Sequence, residues 1–249
     1  MIAIFGALPV ETNFLKKYMF VKKTSVYRHC RIQEGRFGDI DSLLVTTGVG
    51  KEKAIRAADY VLNHFPVSLV ISTGFGGGLN DKTARGDIVV YAEFTCENRP
   101  GEELSADSVL HSDSYLVSIA ERALIKSKYP YLIGKGISSV YAQTTPESKY
   151  KLGASYLADA IDMESYWIGQ IAIEKRIPFI AIRPLLDAVN DDLSALESIF
   201  SAEKIVPLKA LTYFTRHPSQ IKEVLKFSSD SGKTGKAMAL FIRDYIAVI

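Results

Sequence analysis

The sequence contains few of the residues that build metal centres and disulfide scaffolds. Its 249 residues include two cysteines, Cys30 and Cys96, and four histidines, no two of which lie at i, i+4 helical spacing. Zinc sites need cysteine or histidine ligands grouped at short spacings, and disulfide scaffolds need more cysteines. We therefore expect no metal site, and we expect both thiols to be buried or incidental.

Long apolar runs and a strong charge imbalance are also absent from the sequence. No apolar segment reaches the roughly 18 residues that a membrane-spanning helix needs. The chain opens on the apolar residues 2–5 and not on the basic segment of a signal peptide. A net charge of +2 is too small to indicate a nucleic-acid surface. We therefore expect a cytoplasmic protein with no transmembrane segment and no nucleic-acid partner.

Short apolar runs alternate with amphipathic segments along most of the chain. Runs such as 67–72 and 178–185 are typical of strands buried on both faces of a sheet. Residues 51–65 carry apolar side chains at helical spacing and end at Pro66. An apolar fraction of 47% is enough for a substantial core. The pattern predicts one α/β domain over 1–249, with a mostly parallel or mixed sheet covered by helices on both faces.

Two segments depart from this alternation. Residues 92–115 are polar with few apolar anchors, which favours a loop or a lid. Residues from about 205 to 249 are predicted as a helical extension, in two pieces broken near 228–232. This extension has seven Lys and Arg against three Asp and Glu. It is either a pair of closing helices with a solvated basic face or a weak contact for an anionic membrane, made by Phe214, Leu225, Phe227, Leu240 and Phe241.

Two glycine-rich turns follow predicted strands. The turn at 48–51 opens a helix, but it lacks the spacing of a P-loop, and Lys53 occupies the position of the third glycine in a dinucleotide fingerprint. The turn at 74–78 leads to a second strand, so no helix N-terminus is expected there to meet a pyrophosphate. Such turns either let a ligand approach the backbone closely or make a tight connection.

Three acids follow predicted strands. Glu11 comes after the first strand, Glu164 after a strand near 160, and Asp187 after the strand at 178–185. Ligands of open α/β sheets bind at the carboxyl ends of strands. Asp162 is expected to cap the helix that follows it. A carboxylic acid can protonate a leaving group, and a carboxylate can stabilise an oxocarbenium ion or orient a water, so these acids favour cleavage of a glycosidic bond.

A series of motifs along residues 1–190 resembles the nucleoside phosphorylase / methylthioadenosine–adenosylhomocysteine nucleosidase superfamily. They lie, in family order, at 6–11, 47–51, 72–79 with 86–90, 162–165, and 183 with 187. The resemblance implies a single three-layer α/β/α domain around a mixed, barrel-like sheet, assembled as a homodimer or higher homo-oligomer. It implies cleavage of the N-glycosidic bond of a purine nucleoside. The implied reaction requires no cofactor, and phosphate is a co-substrate only in a phosphorylase.

The resemblance also implies roles for individual residues. Asp187 matches the acid that protonates or hydrogen-bonds the purine N7. Met163 and Glu164 match the pair beneath the ribose, with Glu164 binding ribose hydroxyls. Glu11 matches the acid that positions the attacking water in the hydrolytic branch. The remaining predicted substrate contacts are Gly74, Phe75, Ser165 and Arg183.

The nucleophile and the substrate depend on finer features. Phosphorylases of this superfamily place a phosphate-binding arginine near the position of Ser72, so this serine and the retained Glu11 favour hydrolysis. Phe75 replaces a small or hydroxyl residue, and Pro184 and Leu186 interrupt the usual Arg-x-Ile-Ser-Asp pattern. These departures indicate a substrate other than the ordinary one, or a catalytically silent nucleoside-binding homologue. A phosphate-dependent purine nucleoside phosphorylase is the other alternative.

A narrower resemblance concerns the substrate. Residues 145–146, 162–165 and 214–220 are similar to the hopanoid-associated branch of the superfamily, the adenosylhopane nucleosidases. That branch removes adenine from a lipid-linked adenosine. The resemblance implies an adenine nucleoside that carries a 5′ substituent, whose identity the sequence leaves open.

Overall fold

The computed structural model describes residues 1–97, 108–127, 129–194 and 221–249, with the side chains of the last segment described from residue 231. These ranges contain eleven strands and six helices. The strands are β1 (Ile2–Gly6), β2 (Phe20–Tyr27), β3 (Cys30–Phe37), β4 (Ile40–Thr46), β5 (Leu69–Thr73), β6 (Gly76–Gly78), β7 (Ile88–Cys96), β8 (Leu110–His111), β9 (Tyr131–Ser138), β10 (Ala160–Asp162) and β11 (Phe179–Asp187). The helices are α1 (Pro9–Lys16), α2 (Lys51–His64), α3 (Ser114–Ser127), α4 (Pro146–Tyr156), α5 (Ser165–Glu174) and α6 (Ile221–Ile246).

A mixed sheet contains these strands in the order β2-β3-β4-β1-β5-β11-β6-β10-β9-β7-β8. β1 lies parallel to β4 and β5, and β5 lies parallel to β11. Beyond β11 the sheet closes on itself, because β7 pairs with β9 and also, antiparallel, with β11. β11, β6, β10, β9 and β7 thus form a closed five-stranded ring, which confirms the predicted mixed, barrel-like sheet.

Helices cover both faces of the sheet, because successive strand side chains point to opposite sides. In β1, Ala3 and Phe5 belong to an apolar cluster that includes side chains of α2 and α5. Ile2 and Ile4 belong to a second cluster, which includes side chains of α1, α3 and α6. The predicted α/β/α layering is confirmed.

The C-terminal helix bears on two of the predictions. α6 continues without a break through residues 228–232, where an interruption was expected. Phe241 is only 1% exposed and stacks on Tyr245 within the second cluster, so for this side chain the structure favours the closing-helix alternative over a membrane contact. Packing of one face against the core outweighs the weak helix propensity of the serines and glycine in this stretch. Outside the described side chains lie Phe214, Leu225 and Phe227.

The predicted loop at 92–115 is also partly wrong. β7 continues to Cys96, and β8 pairs with it antiparallel, so regular structure occupies both ends of the segment. Phe94 is fully buried within β7 and anchors this stretch to the core. Residues 98–107 lie outside the described part of the chain. No helix within the described ranges is long and apolar enough to cross a membrane.

β11 is longer than the sequence predicted, and it includes Asp187 as its last residue. Pro184 lies where β11 changes its neighbour from β5, which pairs with 179–182, to β6, which pairs from Leu185 onward. The amide N–H of the next residue, Leu185, points to the opposite edge of β11 and donates to the backbone carbonyl of Asp87. Because the nitrogen of Pro184 faces the gap between two strands, its missing N–H interrupts no ladder.

Candidate active site

Residues from four strands and the turns that follow them meet beside the closed ring. β1 leads into α1 with Glu11, and β5 leads into the turn at Gly74. β10 ends at Asp162, and β11 carries Arg183 and, at its end, Asp187. The predicted acids therefore come together around one strand, β11, with Arg183 near its middle.

Arg183 supplies the positive charge of this cluster, and its side chain is 1% exposed. Its Nε donates to Asp162 Oδ2 at 3.0 Å. Its Nη2 donates to the hydroxyls of Ser72 and Ser165, each at 2.8 Å. Burial lowers the pKa of Arg183, but the nearby carboxylates outweigh burial and raise it above its ordinary value. The guanidinium is fixed in place and permanently charged.

Asp162 has the predicted capping role and a second one. Its Oδ1 accepts the N–H groups of Glu164 and Ser165, at 2.8 and 2.9 Å, at the start of α5. The hydroxyl of Ser138 donates to the same oxygen at 2.6 Å. Burial raises the pKa of Asp162, yet Arg183 and these donors outweigh it and hold the pKa below its ordinary value. Asp162 is therefore the ionised counter-ion of Arg183.

Glu11 lies at the first turn of α1 with its carboxylate turned back over the preceding loop. Oε2 accepts the N–H groups of Ala7 and Leu8, both at 2.8 Å, and Oε1 accepts that of Phe75 at 2.8 Å. Burial raises the pKa of Glu11, although the backbone donors and Arg183 act against it. Phe75 contacts Glu11 through its backbone N–H, so the unusual side chain of Phe75 does not affect this hydrogen bond.

Gly74 separates Glu11 from Arg183 and has a backbone that favours glycine, with φ of +143°. A Cβ built on Gly74 would lie 2.6 Å from Arg183 Nη1 and 2.9 Å from Glu11 Oε1. Nη1 and Oε1 therefore both lie close to the position that a Cβ of residue 74 would occupy. This close approach explains the glycine after β5, and the approach of a ligand to the same backbone stays a prediction.

Glu164 is buried at the start of α5, and its Oε1 accepts the N–H of Gly50 at 2.8 Å. Burial raises its pKa to about 8, with the nearby Asp162 acting in the same direction and Arg183 against it. Gly50, in the other glycine turn, thus orients this acid. Near neutral pH Glu164 exchanges a proton readily, which suits a group that hydrogen-bonds to hydroxyls.

Asp187 lies four residues beyond Arg183 and is bound by a residue that the sequence did not point to. Lys149, on α4, is completely buried, and its Nζ lies 2.5 Å from Asp187 Oδ2. The backbone of Gly77 in β6 passes beside the same carboxylate, since a Cβ there would lie 3.0 Å from Oδ2. Burial raises the pKa of Asp187 above its ordinary value, and Lys149 opposes that rise.

The remaining predicted contacts are placed as follows. Met163 is half-buried in the turn between β10 and α5. Ser165 is fully buried and bound to Arg183, so its described role is to support that side chain. A direct contact of either residue with a substrate stays a prediction, as do the catalytic roles of Glu11, Glu164 and Asp187.

Sequence patterns missed Lys149 and Ser138, which lie outside the motifs. Within the described ranges no group of three or more His, Cys, Asp and Glu is arranged to hold a metal ion.

Comparisons with known proteins agree with this architecture. A solved structure similar to this chain is the futalosine hydrolase of Helicobacter pylori strain 26695, with 14% identity, a TM-score of 0.79, and coverage of 100% of this chain and 97% of that one. Another is the 5′-methylthioadenosine/S-adenosylhomocysteine nucleosidase from Neisseria meningitidis in complex with methylthio-immucillin-A, with 21% identity, a TM-score of 0.76, and coverage of 97% and 98%. At these identities the likeness shows the fold. The sequence model of the phosphorylase superfamily matches residues 1–209, and the chain therefore belongs to that superfamily.

Proposed function

We propose that this protein hydrolyses the N-glycosidic bond of an adenine nucleoside that carries a 5′ substituent. Membership of the phosphorylase superfamily supports cleavage of this bond. The similar structures of a futalosine hydrolase and a methylthioadenosine/adenosylhomocysteine nucleosidase support hydrolysis and a 5′-substituted substrate. The observation that carries the proposal is the charge balance around Arg183.

The carboxyl groups in this cluster outnumber its cation. Arg183 interacts electrostatically with three carboxyl groups, those of Asp162, Glu164 and Glu11. Its Nε already donates to Asp162, and its Nη2 already donates to the hydroxyls of Ser72 and Ser165. A phosphate dianion needs unpaired, forked donors, and the ionised carboxylates beside Arg183 repel it. The same charge stabilises a sugar that becomes positive as the base departs. The cluster therefore favours water over phosphate as the nucleophile.

Glu11 is suited to hold and activate that water. Its Oε1 accepts one hydrogen bond, from Phe75, and a carboxylate oxygen can accept a second. Because burial raises its pKa, Glu11 is a stronger base than an exposed glutamate. In the proposed step Glu11 takes a proton from water as the water oxygen attacks the anomeric carbon.

Glu164 and Asp187 contact different parts of the substrate, the ribose and the purine. Glu164, oriented by Gly50, accepts hydrogen bonds from ribose hydroxyls through its other oxygen. Asp187, in its protonated form, donates to N7 of the purine as the bond from the sugar to N9 breaks. The electrons of that bond go to the base, and the proton at N7 neutralises them. The products are the free base and a ribose derivative with a hydroxyl at its anomeric carbon.

The decisive experiment is a panel of adenosines with different 5′ groups, including methylthioadenosine, adenosylhomocysteine and a lipid-linked adenosine. Each is incubated with the protein in the presence and absence of phosphate, and released adenine is quantified by chromatography. We expect adenine and a reducing sugar at equal rates under both conditions. Strict dependence on phosphate, with a sugar phosphate as product, would make the protein a phosphorylase. Purine binding without any turnover would make it a silent homologue.

Assembly and location stay predictions. A homodimer or higher homo-oligomer is expected from the resemblance, and light scattering coupled to gel filtration measures it directly. A cytoplasmic location and the absence of a cofactor are likewise expectations of the proposal. A preparation that is active after dialysis against a chelator would agree with the latter.

A further inference from the structure

Lys149 is a lysine without access to water. It lies beside Asp187, the residue predicted to protonate the purine. Its side chain has 0% exposure, and it reaches from the first half of α4 toward the end of β11. Nζ contacts Asp187 Oδ2 at 2.5 Å, the carbonyl of Ala188 at 3.1 Å and that of Asp191 at 2.8 Å. Three acceptors match the three N–H donors of an ammonium group. The geometry therefore gives every donor of this side chain an acceptor.

The other charged groups that face Asp187 are Asp191 and Arg85, and they largely neutralise each other. Arg85 Nη2 lies 2.9 Å from Asp191 Oδ2. Asp191 Oδ2 also accepts the N–H of Ala188 at 2.7 Å, which fixes the loop after β11. Lys149 is thus the cation that acts directly on the Asp187 carboxylate.

Stability alone gives a poor reason for such a pair. Burying two charges costs desolvation energy that their attraction often fails to recover, and apolar residues of similar size frequently serve as well. A buried lysine next to a buried carboxyl group does, however, change what that carboxyl group can do. Burial by itself would make Asp187 a weak acid, and the ammonium opposes this effect. An acid of intermediate strength both holds a proton and donates it.

We propose that Lys149 is a positioning residue that fixes the orientation and the acid strength of Asp187 while the base departs. This inference rests on the proposed function, in which Asp187 is the group that protonates the purine. Lys149 touches Asp187 and two carbonyls and reaches the substrate only through Asp187. It also ties the carboxylate to the loop after β11, so Asp187 cannot turn away between turnovers.

The first test measures Asp187 itself and needs no catalysis. Carbon-13 NMR of the aspartate carboxyl groups is followed through a pH titration, and the Asp187 signal is identified by its loss in Asp187→Asn. We expect the midpoint of this signal to move to higher pH in Lys149→Gln, because the neutral amide no longer opposes burial. Lys149→Met serves the same purpose if the glutamine variant does not fold. An unchanged midpoint in a folded neutral variant overturns the inference.

The second test uses adenine release. In Lys149→Gln the protonated form of Asp187 persists to higher pH, so the basic limb of the kcat/KM profile should move to higher pH. At pH 7 kcat should fall about tenfold or more, because a weaker acid donates less readily, while KM changes little. Lys149→Arg keeps the charge and should keep the limb in place. Equal displacement of the limb in Lys149→Arg would assign the effect to packing and overturn the inference.

A matched control and the wild type complete the design. Lys151 is exposed on the same helix, and Lys151→Gln should leave both the NMR midpoint and the limb unchanged. If the wild type releases no base from any nucleoside but the midpoint moves in Lys149→Gln, the proposed function fails and the action of Lys149 on Asp187 stands. If base is released but neither the midpoint nor the limb moves, the proposed function stands and this inference fails.

Discussion

The two ends of the candidate site differ in how their charges are balanced. Around Arg183, one guanidinium faces the carboxyl groups of Asp162, Glu164 and Glu11. Around Asp187, one carboxylate meets one ammonium, that of Lys149, in a contact closed off from water. The first end carries an excess of acid, and the second is neutral as a pair.

This difference matches two different chemical tasks. An excess of buried carboxyl groups stabilises positive charge and accepts protons, as the sugar and the water require in the proposed reaction. An acid paired with one cation delivers one proton to a leaving base, and the carboxylate that remains is then neutralised by the cation. Both ends are buried to a similar degree, and each has one cation. The difference between them is therefore the number of carboxyl groups that face that cation.

The strongest test of the comparison is Asp187→Asn. We expect adenine release to fall by about 10²–10⁴-fold, since the base loses its proton donor. The free energy of unfolding should also fall by about 3–5 kcal/mol, because Lys149 is left buried without a counter-ion. Urea unfolding and initial rates measure the two effects. Combining Asp187→Asn with Lys149→Met should restore stability without restoring activity, and Asp39→Asn on the surface should change neither.

Glu11→Gln tests the acid-rich end. The amide keeps the shape and can still accept from Phe75, but it cannot take a proton from water. Adenine release should fall by about 10²-fold, with KM nearly unchanged. Glu52, whose side chain is 81% exposed, provides the matched Glu→Gln control. A Glu11→Gln variant with the rate of the wild type would show that another group activates the water.

Glu164→Gln separates the acid-rich end from the neutral pair through pH. The pKa of Glu164 is raised from 4.5 to about 8 in the folded protein, so the folded state binds the extra proton between these values. The contribution of Glu164 to wild-type stability should therefore be full below pH 4.5 and decrease as pH rises toward 8, by an amount of the order of a few kcal/mol. The glutamine variant should lack this decrease, which thermal melts across the range would record. Identical slopes in both proteins would contradict the assignment.

Gly74→Ala should produce a smaller effect of steric origin. The added methyl would meet Arg183 Nη1 and Glu11, and it would also strain a backbone with φ of +143°. We expect a loss of about 1–3 kcal/mol in the free energy of unfolding, together with reduced activity. Gly86 also has positive φ, +93°, but a Cβ there would meet nothing within 4 Å. Gly86→Ala therefore isolates the backbone strain, and an equal loss in both variants would argue against the clash.

Much of the fold followed from the sequence, because buried parallel strands are continuous apolar runs. β5 and β11 were predicted nearly in full for this reason. β6 was missed, since Gly76–Gly78 has no side chains to form a pattern and becomes a strand only by pairing with β10 and β11. The loop predicted at 92–115 was partly wrong because its few apolar anchors, Phe94 among them, are outnumbered by polar neighbours.

The candidate site was predicted as far as its motifs reach. Glu11, Asp162, Glu164 and Arg183 each follow or occupy a strand that the sequence marks clearly. Lys149 gave no such signal, because a lysine in a short, largely polar helix is ordinarily solvated. Its burial results from tertiary packing, in which the backbone of α4 comes close enough to Leu79 that a Cβ on Gly153 would lie 2.5 Å from the Leu79 carbonyl oxygen.

The irregularity near the end of β11 has a consequence for the spacing of the reaction. Arg183 and Asp187 stand four residues apart on one strand, a span of at most about 13 Å. Between Leu185 and Asp187 the pairing with β6 shifts by one residue, and such a shift re-aims the side chain that follows it. In the proposed reaction, one strand therefore sets the distance between the residues that act on the sugar and the residue that acts on the base. The surrounding loops can change to admit new substrates while the distance along β11 from Arg183 to Asp187 stays the same.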